Sequence, residues 1–477
     1  MDVRESCGVV AAYSGKGASV LPLLLKGLEA LQHRGQESWG IAVEGKPVFK
    51  KMGLAYNWTN YAEELAGYRG SSGIGHVRYS TKGRSNLENA QPVQIGKEFS
   101  IGHNGTIVNA ENVARAVAIN QGQRCGTDTK AAGYRLLHFL QEEKDWFWAF
   151  ERLAKELVGA YSFVVLNRRG EVFAVRDPRG YRPLCLGWIG RSRTYVAASE
   201  SCALTAVGAV FIRDIEPGEV VRLGGPRKGL EAFRFAPRVP SAHCSFEYTY
   251  FAHPASRIDG VSVYEARKRV GEVLARHRMK GNVVIPVPDS ARPSALGYSL
   301  ASGIPMEEGL MKDRYRKRGT IRSFIEPQQR GREEVVKRII PIRETIDGKE
   351  VIVVDDSVVR WTSSKIIVDF LKKEGAKRVK MAVTFPPIRY PCYMGVDFPS
   401  REELLAFQVA DGATDIGKIS KSVGAAIGVD EFRYNDLEGL SQAIGLPQDS
   451  LCFACVTGDY SKLGISPHFR SRKEMKV

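Results

Sequence analysis

Two adjacent carboxylates, Asp355 and Asp356, follow directly on the apolar run Val351–Val354. A loop rich in hydroxyls comes next, with Ser357, Arg360, Thr362, Ser363 and Ser364. A run apolar on both faces reads as a central parallel strand. A ligand site is expected just past the carboxyl end of such a strand. The two acids can accept hydrogen bonds from neighbouring sugar hydroxyls. The loop hydroxyls and main-chain N–H groups, aimed by a helix N-terminus, suit a phosphate. A phosphorylated ribose satisfies both halves, and a plain strand–turn–helix with a polar tip is the alternative. The helical pattern over Ser364–Glu374 ends at Gly375, where a C-cap belongs.

This loop resembles the phosphoribosyl diphosphate (PRPP) signature of type I phosphoribosyltransferases. One position departs: Trp361 stands where that family has glycine, and it either plugs the pocket or swings out as a lid. A second set of residues lies in the first half of the chain. Cys7-Gly8-Val9-Val10 stands almost at its start, where the bland reading of the cysteine is a small buried hydrophobe. Leu28–Ala42 (LEALQHRGQESWGIA), Gly73–Thr81 (GIGHVRYST), Ser100–Thr106 (SIGHNGT) and Gly126–Thr129 (GTDT) follow in order. Together they resemble the glutaminase domain of N-terminal-nucleophile (Ntn) amidotransferases, and the resemblance extends to about Leu223.

Amide hydrolysis needs a nucleophile and a base. A cysteine at a free N-terminus supplies both, because an α-amine of pKa roughly 7.7–8.0 can take up the thiol proton. That requires removal of residues 1–6, so processing between Ser6 and Cys7 is expected. N-terminal sequencing of active protein checks it. By the same resemblance Asn104 and the Gly105 N–H form the oxyanion hole. Arg78 and Thr81 grip the glutamine α-carboxylate, and Asp128 holds its α-ammonium. Taken singly, Arg78 and Asp128 read as a structural ion pair, and Asn104-Gly105 as a turn. Lys130 and Trp39 depart from the family pattern, so an altered glutamine site is expected there.

The elements that must position these groups are spread over 477 residues, enough for two or three domains. Hydrophobic content of 43% and charged content of 26% are ordinary for a globular chain. No apolar run is long enough to span a bilayer, so no membrane partner and a cytoplasmic location are expected. The formal net charge of +16 favours anionic partners such as phosphate esters or nucleotides. Most of it reads as a charge-rich surface, and nucleic acid is the less favoured partner. Arg222–Pro240, rich in Gly, Pro and Arg, reads as a linker. Residues 1–6 are then a leader, 7–230 a glutaminase domain and 231–477 a phosphoribosyltransferase domain. The stretch from Glu308 to Arg330 has no periodicity and many cations, and reads as a loop that closes over pyrophosphate.

The blocks SVYEARKR, VPDSARPSALGY, EGLMKDRY, PPIRYPC and LCFACVTGDY complete a resemblance, over the whole chain, to the glutamine PRPP amidotransferase family. It implies a four-layer αββα Ntn domain followed by a doubly wound parallel sheet. It places Lys312, Tyr315 and Arg322 in the closing loop, and Asp355, Asp356 and Ser357 against PRPP. Thr362, Ser363 and Ser364 take the 5′-phosphate, and Ser290, Asp355 and Asp356 lie at Mg2+. Two departures accompany this: the loop is longer around residues 316–321, and Ala291 replaces a glycine. Eight cysteines without a secretion signal argue against a disulfide framework. Cys244, Cys392, Cys452 and Cys455 match positions that bind a [4Fe–4S] cluster in one branch of the family. Residue type alone leaves structural zinc open. The family implies internal ammonia transfer, a homotetramer, and inhibition by purine nucleotides. Two rival readings are a diverged paralogue with glutaminase activity but weak PRPP chemistry, and a PRPP-sensing or nucleic-acid-binding regulator.

Overall fold

A computed structural model describes residues 7–79, 85–121, 125–224, 229–313, 339–398 and 400–463. The leader, Thr81, Tyr315 and Arg322 lie outside the described residues, as does the stretch 316–321.

The first half builds two antiparallel sheets. In the seven-stranded sheet the order is Val210–Asp214, Cys185–Ile189, Thr194–Ala198, Gly8–Ser14, Ser72–Arg78, Ser38–Val43 and Phe49–Met52. The six-stranded sheet runs Leu230–Arg234, Glu219–Leu223, Val172–Arg176, Gly159–Asn167, Phe99–Ile107 and Val93–Ile95. Alternation along Val9–Ala12 explains the layering. Val9 and Ala11 face Val164, Leu166 and Ala174 of the other sheet. Val10 and Ala12 face outward onto the helix Leu21–Ala30, through Leu24 and Leu28. The helices Asp128–Glu143 and Trp146–Glu156 cover the far side of the six-stranded sheet. Strands buried on both faces, with helices outside, give four αββα layers.

The second half centres on a parallel sheet ordered Val283–Pro286, Glu350–Asp355, Arg378–Val383 and Glu431–Tyr434. Val351 and Val353 pack into one apolar cluster, and Ile352 and Val354 into another. This is why Val351–Val354 is apolar throughout. The helix after the acidic pair spans Trp361–Lys373 and begins three residues earlier than the apolar pattern indicates. Gly375 follows its end at φ +92°, where a Cβ would meet the Asp347 carboxylate at 2.2 Å, so a side chain is excluded twice over.

One reading is corrected. The stretch taken as a linker holds the strand Leu230–Arg234, paired antiparallel with Glu219–Leu223 at the edge of the six-stranded sheet. Its residues are half-exposed or exposed, so hydrophobic alternation is weak there. The chain then runs on to the segment His243–Ala252. There His243–Cys244 pairs in parallel with Leu451–Cys452.

Candidate active sites and the cysteine corner

Cys7 heads the strand Gly8–Ser14, beside the end of Ser72–Arg78, with Gly8 opposite Val77. Its thiol is buried and donates to the Tyr79 carbonyl at 3.4 Å. Burial pushes the thiol pKa up. The Tyr79 contact and the Arg78 charge oppose that shift, and the Asp128 charge adds to it. The thiol, Arg78 and Asp128 therefore share one place. Asp128 opens its helix and accepts from the main-chain N–H of Ile107 at 3.1 Å and of Thr129 at 2.9 Å. Asn104 and Gly105 lie on the strand between His103 and Ile107, both of which approach Asp128.

Both amide atoms of the Asn104 side chain are buried without a hydrogen-bond partner. A buried orphan amide is costly, and a substrate oxygen would satisfy its N–H. Gly105 stands at φ +143°, with the Ala160 carbonyl 2.1 Å from where a Cβ would be. Only glycine fits, so its N–H points in a direction that other residues rarely offer.

Two of the departures have definite partners. Trp39 is fully buried in the outer core, 5.5 Å from the Phe49 ring and 6.3 Å from Tyr61. The Lys130 ammonium pairs with Glu88 at 3.0 Å.

At the second site the strand Glu350–Asp355 delivers Asp355 and Asp356, both buried. Asp356 accepts from Ser357 Oγ at 3.0 Å and from Ser290 Oγ, which reaches across from the loop after Val283–Pro286. Burial pushes the Asp356 carboxyl up, against the Ser290 hydrogen bond. A buried carboxylate of this kind gains from a nearby cation. Asp355, Asp356 and Ser290 therefore fit the magnesium they are expected to meet. Ser363 and Ser364 are buried in the first turn of the following helix, with Thr362 half-buried beside them. That helix start has no side-chain cap, as an anion site requires. Arg360 pairs with Glu403 at 2.7 Å. Lys312 reaches Asp289 at 2.9 Å, next to Ser290. Ala291 is core, beside Ala295 and Tyr298.

Trp361 is 49% exposed at the first helical position, so its indole does not fill the loop. Trp361→Gly is accordingly expected to leave KM for PRPP within about threefold and stability within about 0.5–1 kcal/mol. A tenfold gain in PRPP affinity would show that the ring obstructs the site.

The four cysteines named from sequence converge. Cys244 and Cys452 are strand partners. The main-chain N–H groups of Arg389 and Tyr390 donate to the Cys455 carbonyl at 2.9 and 3.0 Å, which brings the loop of Cys392 alongside. No cysteine is in a disulfide. Burial first, and the neighbouring thiols next, push Cys452 up to about 12. The Cys244 thiol is pushed up to about 11 by burial, with Arg182 opposing, and Cys455 well above its ordinary value. Four buried or half-buried thiols that repel one another as anions are a donor set suited to cationic metal. Among the described residues no three His, Cys, Asp or Glu side chains are close enough to chelate one ion. A tetrahedral zinc would need sulfurs roughly 3.8 Å apart, from a Zn–S distance of about 2.3 Å. Four thiolates suit either structural zinc or an iron–sulfur cluster.

Buried charged residues that escaped the sequence reading include Arg34, Arg176, Arg182, Glu200, Glu247 and Arg267. Arg34 sits inside a quoted motif, Leu28–Ala42, and Glu200 lies within the reach of the same resemblance. Nothing in a single sequence marks a charge as buried.

Fold and sites together define an Ntn-type glutaminase fused to a type I phosphoribosyltransferase sheet. A family model described as a glutamine amidotransferase domain matches residues 76–206. Amidophosphoribosyltransferase of Methanocaldococcus jannaschii is 41% identical, covering 95% of this chain and 97% of its own. That of Methanothermobacter thermautotrophicus is 39% identical over 96% and 95%. The solved structure of B. subtilis glutamine PRPP amidotransferase, complexed with ADP and GMP, superposes with a TM-score of 0.82 at 35% identity, covering 95% and 97%. The chain belongs to the amidophosphoribosyltransferase family.

Among the described residues no helix is long and apolar enough to cross a membrane.

Proposed function

We propose that this chain converts glutamine, PRPP and water to 5-phosphoribosylamine, glutamate and pyrophosphate, the opening step of purine synthesis. The observation that carries the reading is the co-occurrence, in one chain, of a buried thiol beside Arg78 and Asp128 and a buried acidic pair at the end of a central parallel strand. A paralogue without PRPP chemistry would have no use for the uncapped helix start and the Ser290–Asp356–Ser357 arrangement.

In the first half-reaction the Cys7 sulfur attacks the glutamine amide carbon. Its proton passes to the α-amine freed by leader removal and then to the leaving ammonia. Asn104 Nδ2 and the Gly105 N–H stabilise the developing oxyanion. Arg78, Thr81 and Asp128 fix the substrate, and water releases glutamate from the thioester. Ammonia crosses internally and forms its bond to C1 of PRPP as the bond to pyrophosphate breaks. Asp355 and Asp356 orient the ribose, while Thr362, Ser363, Ser364 and Ser357 seat the 5′-phosphate. Lys312, with Tyr315 and Arg322, covers the leaving group. Bound Mg2+ supplies charge neutralisation at pyrophosphate, held by Ser290, Asp355 and Asp356. Cys244, Cys392, Cys452 and Cys455 hold a [4Fe–4S] cluster that fastens the join between halves. A cytoplasmic homotetramer inhibited by purine nucleotides completes the proposal. The B. subtilis relative was solved with two such nucleotides, which supports the inhibition.

The test is a coupled assay of glutamate and pyrophosphate release by trimmed, metal-replete protein, with glutamine or free ammonia as nitrogen source. Release of both, dependent on PRPP, is expected, and release of neither sinks the reading. For the cysteine corner, iron and sulfide in near-equal amounts with broad visible absorption are expected. Colourless protein containing zinc, purified without oxygen, would overturn the cluster.

A further inference from the structure

Cys7 is held by more than its own strand. Arg34 Nε donates to the Cys7 main-chain carbonyl at 3.1 Å. The same guanidinium makes a two-pronged contact with Glu247, Nη1 to Oε2 at 2.9 Å and Nη2 to Oε1 at 2.7 Å, and its Nη1 also reaches Glu200 at 2.6 Å. Glu247 Oε1 accepts in addition from Arg182 Nη1 at 3.0 Å. Arg182 in turn donates twice to the Met394 carbonyl, at 3.0 and 2.8 Å. All four charged side chains are at most 2% exposed. Two guanidiniums thus face two buried carboxylates, with the half-buried His33 ring also 2.8 Å from Glu200 Oε1, and Glu247 is the group that both arginines share.

Glu247 belongs to a different part of the chain from the thiol it reaches. It opens a single π-turn, Glu247–Phe251, just after Cys244, and such turns are rare and frequent at functional sites. The segment is gripped from the other side by buried Arg267. That guanidinium donates to the carbonyls of Tyr248, Tyr250 and Ala252, at 3.0, 2.8 and 2.8 Å, and feels the charge of Asp356.

We propose that Glu247 is a positioning residue for glutamine hydrolysis, setting the place of the Cys7 sulfur through Arg34. The inference rests on the reading of Cys7 as nucleophile. Neutralising Glu247 leaves two buried guanidiniums against one carboxylate, and removing one partner of such a group forces rearrangement. Arg34 then swings toward Glu200, and its bond to the Cys7 carbonyl lengthens. Glutamine binding itself falls to Arg78 and Asp128, outside this network, so the turnover step suffers and affinity does not. None of Arg34, Arg182, Glu200 and Glu247 hydrogen-bonds Ser290, Asp356 or Ser357, and Arg267, which feels the charges of both Glu247 and Asp356, keeps its three carbonyl partners, so use of free ammonia is expected to persist.

The test compares Glu247→Gln and Glu247→Asp with unaltered protein, as full, processed, metal-replete chains. For Glu247→Gln, kcat for glutamine hydrolysis is expected to fall about 10–100-fold, the range that a displacement of about 1 Å at the reacting atom produces. KM for glutamine should stay within about threefold, ammonia-dependent pyrophosphate release should stay within about twofold, and the rate of Cys7 alkylation by iodoacetamide should fall with kcat. Glu247→Asp keeps the charge on a shorter arm, and its kcat should lie between the two. Unchanged kcat in either variant overturns the proposal. So does a parallel loss of ammonia-dependent activity, which marks a merely structural role. If Glu247→Gln does not fold, a kcat for Glu247→Asp equal to that of the unaltered protein overturns it alone. Failure of the underlying reading shows separately, as unaltered protein that hydrolyses no glutamine.

Discussion

Cys7→Ala is expected to abolish glutamine-dependent glutamate release, by about four orders of magnitude or more, the scale on which nucleophile removal acts. Pyrophosphate release with free ammonia should remain within about twofold, because no group of the second site is touched. The split follows from the architecture: the thiol sits on the seven-stranded sheet, and the acidic pair on a separate parallel sheet. Parallel measurement of both products checks it. Equal loss of the two activities would mean that the halves do not work as separable catalysts. Residual glutamine use at a tenth of the original rate would mean that another group is the nucleophile.

Asp356→Asn produces the converse loss. Synthesis from either nitrogen source is expected to fall by about a hundredfold or more, as when a preorganised polar group leaves an active site, while glutamine hydrolysis measured alone persists. Stability should move the other way. Burial raises the folded-state pKa of Asp356 above its unfolded value, so the folded chain binds the proton more tightly. Stability from this group is present at low pH and is lost as pH climbs from the ordinary carboxylate range through the raised value. At pH 7 without metal the ionised carboxylate is therefore a burden, and the amide should melt no lower than the acid and somewhat higher. At pH 4 the difference should shrink. Calorimetry of metal-free protein at the two pH values decides it, and a lower melting temperature for the variant at pH 7 would contradict the argument.

The second site was legible because its signal is local. Val351–Val354 is apolar on every residue, and two sheet faces require that. The acids, hydroxyls and Gly375 are contiguous with it, so strand, turn and cap all read in one pass. Cys7, Asn104 and Asp128 were legible only as a set of motifs, since no rule of local sequence brings three such distant positions together. Three departures have definite surroundings that no local rule predicts: Trp39 fills an aromatic cluster, Lys130 pairs with Glu88, and Ala291 is packed core. Arg34, Glu200 and Glu247 were missed because arginine and glutamate are ordinarily solvated. Their burial depends on partners 166 and 213 residues away. The edge strand Leu230–Arg234 escaped for another reason, because its charged, half-exposed residues carry no alternation.

The parallel pairing of His243–Cys244 with Leu451–Cys452 has a consequence for how the molecule is made. Ser245 reaches the Cys452 carbonyl across 207 residues at 2.8 Å. On a ribosome adding about 5–20 residues per second, the amino-terminal layers emerge and settle many seconds before the partner of this short strand exists. The segment carrying Glu247 is therefore one of the last parts to lock, and the nascent glutaminase stays unbraced until the second half beside it is nearly complete.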